Sequence, residues 1–119
     1  MIKPDDPRDL CVNLIQRSPC AVKVACVIED AGGRIMAWGW NGAGTDGLGL
    51  CAERHAIGRA NRSRLHYGYI YVAGIYSRGT LVNAKPCAAC QRTIGKYHMD
   101  VVYRAKNGAW KTIHESGLA

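Results

Sequence analysis

The apolar residues fall into blocks whose spacing changes along the chain. From Pro7 to Arg17 they stand at Leu10, Cys11, Leu14 and Ile15, a stripe that predicts a helix ended by Ser18-Pro19. Ala21 to Glu29 is rich in valine and isoleucine and predicts a strand buried on at least one face. Asp30-Ala31-Gly32-Gly33 is a turn into a second strand, Arg34 to Asn41, and a hairpin is the simplest pairing. Gly42 to Gly49 holds four glycines in eight residues and reads as a shaped loop. Cys51 to about Asn61 suits a helix with a narrow apolar face at Ala52, Ala56, Ile57 and Ala60.

Tyr69 to Tyr76 is the third strand. Pro86 sits where a helix begins, and Cys87 to about Tyr97 forms it. Asp100 to Ala105 is a fourth strand, and Lys106-Asn107-Gly108 turns the chain into a fifth, Ala109 to Ile113, running back antiparallel. Strand-helix-strand units give parallel neighbours and hairpins antiparallel ones. The expected fold is therefore α/β, a three-layer α/β/α sandwich on a mixed five-strand sheet that ends in an antiparallel hairpin. Its 119 residues suit one domain, 1–119, without internal repeats.

Charge and cysteine content narrow the function. Sixteen Lys and Arg against nine Asp and Glu give +7, which directs attention to anionic partners. From Arg54 to Met99 there are eight basic residues and no acidic one. That run is either a set of solvated and oligomer-contact faces or a guide for phosphate by Arg59, Arg62, Arg64 and neighbouring Tyr67 or Tyr69. No stretch reaches the roughly 20 apolar residues of a membrane span, and Met1 to Asp9 is polar, so a cytoplasmic protein is expected. In a reducing compartment the six cysteines are thiols, core fillers or metal ligands.

Spacing sorts them. Cys51-Ala52-Glu53 opens one helix and Pro86-Cys87-Ala88-Ala89-Cys90 another. Free backbone N–H groups and the helix dipole favour thiolate at such positions, and thiolate is the metal-binding form. The two-residue gap lets Cys87 and Cys90 reach one ion from a single turn, with Cys51 as third ligand. Three soft ligands suit Zn²⁺ and leave one tetrahedral position for water, the mark of a catalytic rather than a structural site. Glu53 lies two residues beyond a ligand, placed to take a proton from that water and return it to a leaving group. The competing arrangement is a closed structural zinc completed by Cys11, Cys20 or Cys26, but all three fall on apolar segments and read as core thiols. His55 reads as a polar helix residue near the site. Arg54 is either a solvated charge or a donor to the sulfurs that restores zinc's electrophilicity, and the second role is preferred.

These residues resemble the zinc-dependent cytidine deaminase superfamily in its Cys₃ form, whose signature carries a glutamate two residues after the first ligand and a P-C-x-x-C run. The likeness covers roughly Arg34 to Ala105, and Cys51-Ala52-Glu53-Arg54-His55-Ala56-Ile57 is most similar to the small deaminases of free nucleosides. The hairpin turn at Lys106-Asn107-Gly108 and the tail Thr112-Ile113-His114-Glu115 agree with that group. The resemblance implies conversion of a cytosine nucleoside to its uracil form with release of ammonia, Glu53 as the proton carrier, and Arg54 beside the sulfurs. It implies Asn41 and Ala52 as substrate contacts, and a homotetramer with Trp38 and Trp40 partly buried between subunits. Asn41 matches the first of two ribose-holding positions; the second, where the family has glutamate, is Ala43. The chain has no phenylalanine, so an aromatic lid must come from tyrosine or tryptophan. Two alternatives remain: action on cytosine in single-stranded nucleic acid or a nucleotide, and a non-catalytic zinc module that binds RNA or protein.

Overall fold

The computed structural model describes residues 6–42 and 51–118. The glycine-rich loop reading and Ala43 lie outside these, apart from Gly42. Helix α1 (Pro7–Leu14) is capped by Asp6, whose carboxylate accepts from the Arg8 N–H at 2.9 Å, and it tightens into a 3₁₀ turn at Ile15–Arg17. Strands β1 (Val22–Glu29) and β2 (Ile35–Trp40) form the expected hairpin. Then come α2 (Ala52–Arg59), a 3₁₀ turn at Arg62–Arg64, β3 (Tyr69–Tyr76), α3 (Ala88–Gly95), β4 (Asp100–Arg104) and β5 (Trp110–Ile113).

The sheet order is β2-β1-β3-β4-β5. Among neighbouring strands only β3 and β4 run parallel, joined through α3; β2 and β3, joined through α2, also point the same way but lie on either side of β1. Strands β1 and β3 are central and buried on both faces, which is why each reads as a near-continuous apolar run. On one face Ala25, Val27 and Ala73 pack under Cys11, Leu14 and Ile15 of the α1 segment. On the other, Cys26, Ile28, Ile70, Val72 and Val101 pack under Ala52, Ala56 and Ile57 of α2 and Ile94 of α3. The three-layer sandwich is thus as expected. All three helices are shorter than their apolar pattern. Cys51 and Cys87 adopt extended backbone as N-caps instead of entering the helices, and α1 gives way to its 3₁₀ turn before Ser18.

Cys11 and Cys26 are core thiols: Cys11 donates to the Ala25 carbonyl at 3.1 Å and Cys26 to the Ala52 carbonyl at 3.0 Å. Burial pushes the Cys11 thiol up to about 12 and the Cys26 thiol well above its ordinary value. Cys20 departs from the core reading. It precedes β1, is only half-buried and belongs to neither core cluster.

Helix α2 approaches the sheet closely at Gly39, between Trp38 and Trp40. A Cβ there would stand 2.6 Å from the Ala56 nitrogen and 2.9 Å from the Ala52 oxygen, so the α2 backbone rests on β2 itself. Gly58, in the same helix, has nothing within 4 Å of its would-be Cβ. The two glycines should respond oppositely to alanine in thermal unfolding. Gly39→Ala should destabilise by about 1–3 kcal/mol through overpacking, whereas Gly58→Ala should stabilise by about 0.5–1 kcal/mol through helix propensity. Equal responses would contradict this account of the α2 seat.

Candidate active site

Helices α2 and α3 both begin on the same side of the sheet. Cys51 and Cys87 are their N-caps, and Cys90 lies in the first turn of α3. The Cys90 thiol interacts with the thiols of both Cys87 and Cys51, so the three sulfurs lie near one another. Among the described residues no group of three or more His, Cys, Asp or Glu side chains is arranged to hold a metal ion. The donor chemistry nevertheless fits a thiophilic ion: two sulfurs are exposed, one is buried, and all stand at helix starts.

Their electrostatics differ. The backbone N–H groups of Cys90 and Ala89, together with the Cys90 thiol, hold the Cys87 thiol below its ordinary value despite some burial and the nearby Glu53 charge. Desolvation pushes Cys90 up, and Glu53 and the other two thiols push the same way. The helix start thus favours the charged form of one thiol, whereas burial and nearby negative charge disfavour it in its neighbour.

Glu53 is 7% exposed, and burial raises its carboxyl above the ordinary value, opposed by its own backbone N–H. It is a charged-type side chain placed in the core side of α2, close enough for its charge to act on Cys87 and Cys90. Ala52, also buried, occupies the first position of α2, where a backbone N–H has no partner within the helix.

The remaining predicted residues fall differently. Arg54 points away from the core, is exposed, and makes no hydrogen bond or ion pair among the described residues, so the expected donation to the sulfurs is not seen. It follows Glu53 by one residue, and on a helix that rotation turns it outward. The Asn41 side chain binds β1: Oδ1 accepts from the Val24 N–H at 2.9 Å and Nδ2 donates to the Val22 carbonyl at 2.8 Å. The basic run is partly occupied by structure. Arg64 is paired with Asp30, and the Arg59 guanidinium lies 5.4 Å from the Trp38 ring and 5.9 Å from that of Trp40. Arg62 is exposed.

His55 was legible only as a nearby polar residue. Its Nδ1 accepts from the Trp40 N–H at 3.1 Å, and its ring stands edge-on to Trp40 with centroids 4.7 Å apart. This closes an outward N–H of edge strand β2 and ties α2 to it. A glycine isolated between two tryptophans was the available signal for that close approach.

A family model described as the cytidine and deoxycytidylate deaminase zinc-binding region matches residues 7–106, and the chain belongs to that family. It is a hydrolytic deaminase with Zn²⁺ as cofactor. Among solved structures it is similar to the cytidine deaminase of Burkholderia pseudomallei (21% identity, TM-score 0.67, 97% of this chain and 94% of that one). It is also similar to the dCMP deaminase of cyanophage S-TIM5 (22% identity, TM-score 0.65, 87% and 85%). A third similar structure is the cytidine deaminase of Mycobacterium leprae (18% identity, TM-score 0.60, 98% and 96%). At these identities the likeness establishes the shared fold. A comparison with curated proteins finds no match.

The His55 contact has a pH signature. Burial and the charge of Arg59 lower the His55 pKa below 6.5, opposed by the Trp40 N–H. Below 6.5 the unfolded chain takes up the proton first, so this contact's stabilisation is present above that pH and declines as pH falls through the folded-state value. Amide exchange at Trp40 should accelerate over that interval, and stability should fall more in the wild type than in His55→Gln. Parallel pH profiles for the two proteins would refute the assignment.

Proposed function

We propose that the chain hydrolyses the C4 amine of a free cytosine nucleoside, giving the uracil form and ammonia. Cys51, Cys87 and Cys90 hold the zinc, and Glu53 carries the protons. The observation that supports this most is the buried Glu53 carboxyl set beside three thiols at the first turns of two helices. When bound, zinc supplies a Lewis acid that makes water nucleophilic near neutral pH. Glu53 takes one proton from the attacking water and delivers it to ring N3, then takes the second from the new C4 hydroxyl and passes it to the amine, so that ammonia leaves as the C4 carbonyl forms. Its dry surroundings favour this, since a carboxyl with a raised pKa holds a proton longer than an exposed one. The free N–H of Ala52 and the remaining Nδ2–H of Asn41 contact the substrate.

Assembly follows the same reading. Trp38 is 37% exposed on edge strand β2 and is covered on one side only by Arg59. A homotetramer buries this edge, and a cytoplasmic setting keeps all six thiols free.

A second reading, a phosphate-bearing cytosine, draws on the placement of charge. Five of the seven described carboxylates, Asp6, Glu29, Asp30, Asp100 and Glu115, gather where β1 ends and β4 begins. Arg78, Lys85, Arg104 and Lys106 lie toward the opposite end, where β3 and β4 finish and α3 starts, and none forms an ion pair among the described residues.

Four measurements test these statements. Elemental analysis should give one zinc per chain, lost in Cys87→Ser. Glu53→Gln should keep the zinc and lose roughly 10²- to 10⁴-fold in turnover; wild-type rates would remove Glu53 from the mechanism. KM for cytidine should change less than about threefold between 50 and 200 mM salt, against roughly 10³-fold for six phosphate contacts. Turnover confined to nucleotides or oligonucleotides would transfer the assignment to the second reading. Light scattering should find four chains per particle, and a fully active monomer would reject the tetramer.

A further inference from the structure

Asn41 ends the pairing of β2 with β1, one residue beyond Trp40, and its side chain is held more tightly than a ligand contact needs. A backbone N–H can only donate and a backbone carbonyl can only accept. The bonds from Val24 N–H to Oδ1 and from Nδ2 to the Val22 carbonyl therefore fix which way the amide faces. The second lone pair of Oδ1 is taken by the hydroxyl of Ser18. Oδ1 is then saturated, whereas Nδ2 retains one proton. Asn41 has a single polar group left to offer, and it is a donor.

Ser18 is itself fixed. It is 2% exposed, its Oγ accepts from the Cys20 N–H at 3.2 Å, and its carbonyl accepts from Lys23 Nζ at 2.6 Å. Its own N–H closes the 3₁₀ turn on Ile15 at 3.1 Å. A buried serine with every group engaged, reaching across to an amide at the end of the sheet where α2 and α3 start, does more than end a helix.

We propose that Ser18 is a positioning residue that makes Asn41 a donor-only contact and thereby selects a substrate bearing a hydroxyl oxygen on its sugar. This rests on the reading of Asn41 as a substrate contact. With Ser18 in place, the outward N–H meets an oxygen lone pair, and a sugar lacking that oxygen leaves the N–H unmatched. Without the Ser18 hydroxyl, Oδ1 is free to accept, the side chain loses one of three restraints, and discrimination falls.

The test compares zinc-loaded wild type, Asn41→Ala, Ser18→Ala and Ser18→Thr on cytidine and its 2′,3′-dideoxy analogue, with uridine binding measured in parallel. The wild type should prefer cytidine, and Asn41→Ala should lose the preference. Ser18→Ala should raise KM for cytidine and weaken uridine binding by about five- to tenfold, the effect of one hydrogen bond, with kcat changed less than about twofold. Ser18→Thr, which keeps a hydroxyl, should restore the preference. If Ser18→Ala does not fold, Ser18→Cys, a weaker donor, should show an intermediate preference. Preference lost in Asn41→Ala but intact in the Ser18 variants overturns the proposal. Preference intact in Asn41→Ala removes Asn41 as a contact and the proposal with it. No turnover of either compound by the wild type rejects the nucleoside reading itself.

Discussion

The first turn of α2 lies against the backbone of β2, and this contact is possible because residue 39 carries no side chain. Everything that gives the site its character follows from that proximity. It brings the Ala52 carbonyl within reach of the Cys26 thiol in β1 and places His55 against the N–H of Trp40. It also drives Glu53, the next residue after Ala52, into the core side of the helix, where water is scarce. A helix seated a side chain's width higher would leave Glu53 hydrated and its carboxyl ordinary.

That dryness sets the charge balance of the site. Three thiols and a carboxyl share one small region, and the described residues bring no cationic side chain to them. Desolvation raises both the Cys90 thiol and the Glu53 carboxyl, the Glu53 charge raises Cys90 further, and Cys87, facing backbone N–H groups, is lowered. A divalent cation removes the conflict by compensating several negative groups at once, and its binding then releases protons. The helix ends and the buried carboxyl are two parts of one electrostatic arrangement, which explains why they occur within three residues on α2.

The fold was legible because the central strands carry their burial in their composition. Tyr69–Tyr76 is an apolar run between polar turns, and its limits agree with the sequence reading. Helix limits were less legible, since Cys51 and Cys87 fit a helical pattern yet serve as caps, a matter of backbone angles that apolar spacing does not encode. At the site, spacing grouped the thiols with Glu53, and the Glu53 charge acts on Cys87 and Cys90. The restraints on Asn41 were not legible, because its partners Ser18, Val22 and Val24 are distant in sequence and two of the bonds go to backbone. Arg54 was assigned to the sulfurs from the charge of three thiolates and from the resemblance; on α2 it is exposed, one residue beyond buried Glu53.

The partition of charge gives the molecule a direction. Carboxylates at one end offset the cations near them, as Asp30 does for Arg64, while Arg78, Lys85, Arg104 and Lys106 toward the other end form no ion pair among the described residues. Such a body carries a permanent electric moment along the sheet, and an approaching anion exerts a torque on it before any contact is made. Rotational diffusion is thereby biased, and encounters with a negatively charged solute, surface or strand begin with the helix starts of α2 and α3 turned toward it. The orientational search that usually slows association is shortened, in proportion to how little salt screens the field.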